Sequence, residues 1–153
     1  MIREAKPEDC VDLAVLSLQV WLHTYATKGI REKISRFALN TFTEKYFLDL
    51  LNRSENKVQV YIKDEHLIGF VVIDLASKCS AENAGYEIKT LYISEHFQGS
   101  GIGRQLLSQI ESQYGSPFWL STWENNINAI GFYQKLGFKI LENTPLCQGS
   151  CHC

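Results

Sequence analysis

A glycine-rich segment lies where the chain passes from a strand pattern into a helix pattern. In order, its residues are Gln98, Gly99, Ser100, Gly101, Ile102, Gly103 and Arg104. Glycine lets a backbone approach a ligand closely and adopt positive φ. The first turn of the following helix presents unpaired N–H groups and a partial positive charge. The segment is therefore predicted to bind a phosphate or diphosphate group.

Two nucleotide-binding motifs do not fit this segment. A P-loop requires Gly-Lys followed by Ser or Thr, whereas the sequence here is Gly103-Arg104-Gln105. A dinucleotide-binding fingerprint belongs to the first strand of a βαβ unit, whereas this segment lies two-thirds of the way along the chain. A tight strand-to-helix turn that binds nothing is the structural alternative.

A second block of spaced residues begins 23 residues after Gly103. Its fixed positions are Asn126, Ala129, Ile130, Phe132, Tyr133, Leu136, Gly137 and Phe138. In order and spacing, the two blocks resemble the coenzyme motifs of the GCN5-related N-acetyltransferase (GNAT) superfamily. Those motifs are Gln/Arg-x-x-Gly-x-Gly/Ala and Asn-x-x-Ala-x-x-Phe/Leu-Tyr-x-x-x-Gly-Phe. The resemblance covers residues 57 to 141 well and residues 1 to 56 more loosely.

The resemblance implies both a fold and a reaction. The fold would be a GNAT-like α/β domain with a central, mostly antiparallel sheet, splayed between strands 4 and 5, and helices on both faces. The reaction would transfer an acetyl group from acetyl-CoA to a primary amine by direct attack in a ternary complex. A non-catalytic module of the same fold, binding coenzyme A or a protein partner, is the alternative, and a longer acyl group stays open.

The resemblance also assigns residues to the coenzyme. The amides of residues 98–104 would hold the diphosphate, and the strand end at residues 91–93 would pair with the pantetheine arm as an added strand does. An amide there would also stabilise negative charge on the carbonyl oxygen. The full set of implied coenzyme-binding positions is Leu91, Tyr92, Ile93, Gln98, Gly99, Ser100, Gly101, Ile102, Gly103, Arg104, Asn126, Ala129 and Tyr133.

Tyr133 is the expected general acid. A phenol with a pKa of about 10 can donate a proton to a departing thiolate, and the family carries its acid at this position. A core tyrosine beside Phe132 is the structural alternative. Asn126 is expected to cap the helix that it begins, to contact the coenzyme, or to do both.

Glu87 is the expected base, because a protonated amine must lose a proton before it attacks. It lies eleven residues before Gln98, and histone acetyltransferases of the superfamily carry a glutamate base at this spacing. On an alternating strand Glu87, Lys89 and Leu91 would share one face. Amine binding by Glu87, an ion pair with Lys89, and ordered water as the base are the alternatives.

The acceptor amine is expected to meet the first helices. Trp21 and Tyr25 are predicted to line its pocket, with a core position for Trp21 and a surface position for His23 as the alternatives. The run 119–126 and the block after it resemble bacterial spermine/spermidine acetyltransferases, so a polyamine is one expected acceptor. Protein N-terminal and lysine amines stay open.

Hydrophobic periodicity predicts the elements that position these residues. The expected strands cover residues 2–5, 58–62, 67–75, 86–93, 118–122 and 138–141. The expected helices run from Asp9 to Tyr25, from Thr43 to Leu51, from Gly101 to Tyr114 and from Asn126 to Lys135, with Asp9, Thr43 and Asn126 or Asn125 as caps. Residues 30–42 are ambiguous.

Composition argues against several other classes of protein. A net charge of -2 does not suit a nucleic-acid binder. No apolar run approaches 18 residues, so no membrane span is predicted. The charged N-terminus lacks the apolar stretch of a secretory signal, so a cytoplasmic location is expected.

The five cysteines fall outside the motif positions, so no cysteine nucleophile is predicted. Cys147, Cys151, His152 and Cys153 crowd the C-terminus. A structural zinc ion needs four ligands in a tetrahedron, and three consecutive ligands strain that geometry. No metal is therefore predicted.

We interpret residues 1–153 as a single domain. Residues 1–56 would supply substrate-side helices, 57–141 the acetyl-CoA-binding core, and 142–153 an atypical short tail. The family normally continues into one more antiparallel strand. Here a stunted last strand is expected, which would leave an unpaired edge beside residues 138–141. A homodimer, or a strand borrowed from a partner, would cover that edge.

Overall fold

The computed structural model describes residues 1–79, 83–123, 125–144 and 149–152. Its strands are β1 (Ile2–Glu4), β2 (Asn56–Lys63), β3 (His66–Asp74), β4 (Tyr86–Ile93), β5 (Phe118–Trp123), β6 (Ile140–Thr144) and β7 (Gly149–His152). Its α-helices are α1 (Cys10–Tyr25), α2 (Glu32–Thr41), α3 (Glu44–Leu51), α4 (Ile102–Tyr114) and α5 (Ile127–Lys135). The ambiguous residues 30–42 thus contain α2.

The strands form one mixed sheet in the order β1-β2-β3-β4-β5-β7-β6. Each of the pairs β1–β2, β2–β3 and β3–β4 is antiparallel. The pairs β5–β7 and β7–β6 are antiparallel as well. Strands β4 and β5 run parallel and join the two antiparallel parts. The predicted mixed, mostly antiparallel sheet is confirmed.

Strands β4 and β5 separate soon after they meet. Tyr86 pairs with Phe118 and Glu87 pairs with Trp119. Beyond these two pairs, β4 continues to Ile93 and β5 continues to Trp123 without further pairing between them. The predicted splay is therefore present, and it opens a cleft at the carboxyl ends of the two strands.

The sheet buries an apolar layer on each face, so helices cover both sides. Alternating side chains of β2 and β3 pack under α1 and α3, through Leu13, Leu16, Phe47, Leu50, Val58, Val60, Phe70 and Val72. The opposite layer lies under α4 and α5 and includes Val71, Ile73, Ile88, Leu106, Ile110 and Tyr133. Fully burying one large aliphatic side chain contributes about 1.5–3 kcal/mol, so these two layers hold the cleft walls in place.

Two of the predicted helix caps are confirmed. The Thr43 hydroxyl accepts a hydrogen bond from the Tyr46 amide at 3.1 Å. The Asn126 side chain accepts one from the Ala129 amide at 3.3 Å. Each bond satisfies one of the amides that a helix leaves unpaired in its first turn.

Asp9 lies at the N-cap position of α1, as predicted, but its side chain does not act as a cap. The carboxylate instead accepts from the Lys6 amide at 2.7 Å and from the Arg3 guanidinium at 2.8 and 3.0 Å. The hydrogen bonds from Arg3 lower the pKa of Asp9 and tie β1 to the turn ahead of α1.

The last strand, β7, is short as expected, with four residues, but the expected unpaired edge needs correction. Strand β6 begins at Ile140 rather than at residue 138, and β7 lies between β5 and β6. His152 pairs with Leu120 on one side and with Ile140 on the other. The side of β6 that faces β5 is therefore covered by β7, while β6 forms the outer edge of the sheet. Of the residues considered for zinc, Cys147 and Cys153 lie outside the described residues.

None of the helices in the described part of the chain has the length and apolarity that a membrane crossing requires.

Candidate active site

The glycine segment forms the turn between β4 and α4. Gly99 has φ 82° and Gly101 has φ 87°, and both are in the left-handed region that favours glycine. A Cβ atom added at either position would meet no atom within 4 Å. These glycines are therefore needed for backbone shape rather than for packing, and the space beside them is open.

The segment is held in place by its own side chains. The Gln98 amide group donates to the Ile93 carbonyl at 3.1 Å, and the Ser100 hydroxyl donates to the Phe97 carbonyl. The first bond inside α4 runs from the Gln105 amide to the Gly101 carbonyl at 3.0 Å. The amides just before Gln105 are those that a helix leaves without an internal acceptor. An open, pre-shaped helix start of this kind fits a diphosphate.

The cleft between the diverging strands has a volume of about 620 Å³, within the range of small-molecule sites. The β4 wall consists of Ile88, Lys89, Thr90, Leu91 and Tyr92. The β5 wall consists of Leu120, Ser121, Thr122 and Trp123. The helices add Trp21, Tyr25, Phe37, Asn126, Ala129 and Tyr133. The predicted positions on α1 and α5 thus meet Leu91 and Tyr92 of β4 in one cleft, whereas Glu87, Ile93 and the glycine segment lie beyond its lining.

Tyr133 lies in the wall of this cleft and is buried, with 9% of its surface exposed. Its ring packs against Phe132 and Phe138, with centroids 5.2 and 5.4 Å away. Burial raises the pKa of the Tyr133 hydroxyl, and the nearby Tyr92 raises it further. The hydroxyl therefore keeps its proton at neutral pH, as a general acid must before transfer.

A β-bulge interrupts β4 inside the cleft. Ile73 of β3 pairs with Ile88 and Val72 pairs with Thr90, so Lys89 is an extra residue without a partner position in β3. A bulge of this type reverses the side-chain alternation of the strand that contains it. The bulge decides which residues of β4 face which side of the sheet.

The bulge makes the prediction of a shared face for Glu87, Lys89 and Leu91 wrong. Leu91 packs in the layer under α4 and α5, together with Ile88. Register places Glu87 opposite Asp74 and Tyr92 opposite Phe70, which puts Glu87 and Tyr92 on the other face of the sheet. A simple alternating strand could not reveal this change.

Glu87 lies where β4 and β5 still pair, at the closed end of the splay. It is half-buried and is not among the residues that line the cleft. The described residues show no ion pair between Glu87 and Lys89. Its role as base stays a prediction, and a proton would have to reach it from the cleft through water.

Aromatic rings form one end of the cleft, where the acceptor amine was predicted to bind. The Trp21 ring lies 5.2 Å from the Tyr25 ring and 4.9 Å from the Phe37 ring, centroid to centroid. Tyr25 in turn lies 5.3 Å from Trp123. Trp21 is half-buried rather than fully in the core, and His23 is exposed, with Nδ1 2.8 Å from a carboxylate oxygen of Glu95.

Phe37 and Trp123 also line the cleft, although neither was among the predicted site residues. Phe37 lies in the segment that was left ambiguous. Ile34, Phe37, Ala38 and Thr41 recur at helical spacing, and this pattern was the available signal for α2. Trp123 ends a short strand, and only the divergence of β4 and β5 brings its ring to the cleft.

Comparison with known proteins agrees with this architecture. The model of the acetyltransferase (GNAT) family matches residues 24–138. The crystal structure of the PaiA N-acetyltransferase of Thermoplasma acidophilum with coenzyme A superposes with a TM-score of 0.84. That alignment covers 99% of this chain and 96% of the other at 22% identity, so it supports the fold.

Two relatives by sequence carry acetyltransferase names. An uncharacterised N-acetyltransferase of Lactobacillus delbrueckii subsp. lactis is 24% identical over 142 residues, covering 89% of this chain and 82% of the relative. A probable spermine N(1)-acetyltransferase of Bacillus subtilis subsp. natto is 30% identical over 80 residues, covering 48% of this chain and 53% of the relative. Because the family model spans most of the chain, and the fold and both motif blocks agree with it, the chain belongs to the acetyltransferase (GNAT) family.

Proposed function

We propose that this protein transfers the acetyl group of acetyl-CoA to a primary amine by direct attack of the amine on the thioester. The observation that carries the proposal is the splay of β4 and β5, which opens beside a glycine-shaped helix start and has Tyr133 in its wall. Residues 57–141 supply the coenzyme side, and residues 1–56 supply most of the acceptor side.

The coenzyme would bind along β4. The space beside Gly99 and Gly101 is open, and the amides of residues 99–104 at the start of α4 would donate to the diphosphate. Beyond Glu87, the main chain of β4 has no paired neighbour on its β5 side. The polar groups of Leu91 and Tyr92 that point away from β3 are therefore available to the amides of the pantetheine arm, whereas the Ile93 carbonyl already accepts from the Gln98 side chain.

In the transfer step, the amine nitrogen forms a bond to the carbonyl carbon and the carbon–sulfur bond breaks. The thiolate that leaves takes a proton, and Tyr133 is positioned to donate it. Burial keeps the Tyr133 hydroxyl protonated at neutral pH, so that it can donate to the sulfur as the carbon–sulfur bond breaks and then regain a proton from the nitrogen. From ammonium to amide the nitrogen loses two protons: one restores the Tyr133 hydroxyl and the other is released to solvent, so the products are an acetamide, free coenzyme thiol and one proton.

Removal of the proton from the incoming ammonium needs an acceptor. Glu87 lies outside the lining of the cleft, so we assign it the end of a water-mediated path rather than direct contact. The apolar walls assist, because desolvation disfavours the charged form of an amine and lowers its pKa. Ordered water alone would serve if Glu87 proves dispensable.

The acceptor class is the open part of this proposal. A polyamine is supported by the resemblance and by the name of the Bacillus relative, over about half of the chain. Protein N-termini and lysine side chains are further candidates for the same chemistry.

Thiol release tests the proposal. Acetyl-CoA should raise the melting temperature, and release of coenzyme thiol should require an added amine from a panel of spermidine, lysine, a peptide and an arylalkylamine. A melting shift without thiol release on any amine would instead favour a coenzyme-binding module. No shift at all would contradict the assigned coenzyme site.

A further inference from the structure

Four aromatic residues surround the end of the cleft assigned to the acceptor, and together they form an aromatic cage: Trp21, Tyr25, Phe37 and Trp123. All four line the cleft. They come from three separate elements, α1, α2 and β5. Adjacent rings lie 4.9 to 5.3 Å apart between centroids, within the range of favourable aromatic contacts.

The cage rings keep much of their surface exposed. Exposure is 40% for Tyr25, 50% for Phe37 and 37% for Trp123. Large apolar side chains that cluster at a concave site while exposed are typical of a binding surface. Phe42 supports them from behind, with its ring centroid 6.1 Å from that of Trp21.

The aromatic cage lies in the same cleft as Tyr133, so an acceptor held by the cage would share that cleft with the proposed general acid. Lys89 also lines this cleft. Lys89 is exposed, so its ammonium group adds a modest repulsion for each further positive charge on an acceptor. A single amine on an uncharged body avoids that cost.

Resting on the proposed function, we propose that the preferred acceptor is a primary amine carried on one aromatic or bulky apolar body, held by the aromatic cage. The rings stack on the body of the acceptor. The faces of the rings also attract the ammonium group of the acceptor. This acceptor class differs from the extended polycation that the sequence resemblance suggests.

The test compares 2-phenylethylamine with spermidine on the intact protein. We expect kcat/KM for 2-phenylethylamine to exceed that for spermidine by about tenfold or more, the ratio that about 1.4 kcal/mol of differential binding produces. Trp21 and Trp123 both belong to the cage, so binding of 2-phenylethylamine without turnover should also change the tryptophan fluorescence.

A matched pair of variants assigns the effect to the cage. Phe37→Glu should lower kcat/KM for 2-phenylethylamine at least about fivefold, because it replaces a stacking ring by a charge. Leu39→Glu adds the same charge on the same helix, at an exposed residue that does not line the cleft, and should leave that kcat/KM unchanged. Melting curves of both variants report whether they fold.

The outcomes separate this inference from the proposed function. Faster acetylation of spermidine, or equal loss in the two variants, overturns the inference and leaves the acetyltransferase function intact. Coenzyme binding without thiol release on any amine of the panel overturns the proposed function, and the inference falls with it; release with lysine or the peptide alone overturns only the inference.

Discussion

Gly103 and Phe132 lie so close that a Cβ atom added to the glycine would sit 3.0 Å from Cζ of the ring. Gly103 is in the first turn of α4, and Phe132 is in α5. The two motif blocks of the sequence therefore touch in the fold. The glycine at this position is needed for packing, whereas Gly99 and Gly101 are needed for their positive φ.

Gly103→Val should destabilise the protein. The branched side chain must displace the Phe132 ring in a packed layer, which costs about 1–3 kcal/mol. Urea unfolding measures the loss. Gly131→Ala is the control, since a Cβ there meets nothing within 4 Å and a helical alanine gains roughly 0.5–1 kcal/mol over glycine. A Gly103→Val protein as stable as the parent would contradict the packing role.

Gly101→Ala should weaken acetyl-CoA binding by about tenfold, because a left-handed non-glycine residue costs about 1–2 kcal/mol and the backbone will relax away from the required shape. Gly29→Ala is matched, with φ 109° and open space around it. Both variants should lose similar stability, but only Gly101→Ala should lose coenzyme affinity in a calorimetric titration. Equal affinities would place the diphosphate elsewhere.

Tyr133→Phe should lower turnover by about 100-fold or more, the usual contribution of a positioned acid. The affinity for acetyl-CoA should change little, because the ring that packs against Phe132 and Phe138 is retained. Steady-state kinetics with a coenzyme titration separates the two quantities. Unchanged turnover would remove Tyr133 from the reaction.

Tyr86 makes the stability of the fold sensitive to alkaline pH. Burial raises its pKa from the ordinary value of 10.0 to about 12, with smaller contributions from Glu111 and Tyr114. The neutral form is therefore favoured by folding. Its contribution is complete below about pH 10 and is lost as pH rises through about 12.

Between about pH 10 and about pH 12, the free energy of unfolding should accordingly fall less steeply for Tyr86→Phe than for the parent protein. At neutral pH the variant should be about 1 kcal/mol less stable, since it loses the 2.6 Å bond from the hydroxyl to the Gly115 carbonyl. Urea titrations across this pH range measure both effects. A fall as steep as that of the parent would show that Tyr86 is not responsible.

Local sequence patterns were sufficient to predict the features that interactions between nearby residues determine. The caps at Thr43 and Asn126 follow from short-range hydrogen bonds. The glycine turn follows from the need for positive φ at Gly99 and Gly101. Mixed-sheet topology followed from element order and from the family resemblance.

Other features depend on partners that are distant in the chain. The bulge at Lys89 exists only in register with β3, so strand alternation misplaced Leu91 relative to Glu87. Asp9 bonds to Arg3 across a turn rather than capping the helix that it precedes. The pairing of β7 with both β5 and β6 likewise depends on residues distant in the chain, and no local pattern in residues 149–152 predicts it.

Amide hydrogen exchange tests the coenzyme site most directly. Saturating acetyl-CoA should slow exchange of the amides of residues 99–104 by about tenfold or more, because each donor would be held by a diphosphate oxygen. Amides of residues 91–93 should also be protected. Acetyl-CoA that raises the melting temperature yet leaves residues 99–104 exchanging at their free rate would contradict the account.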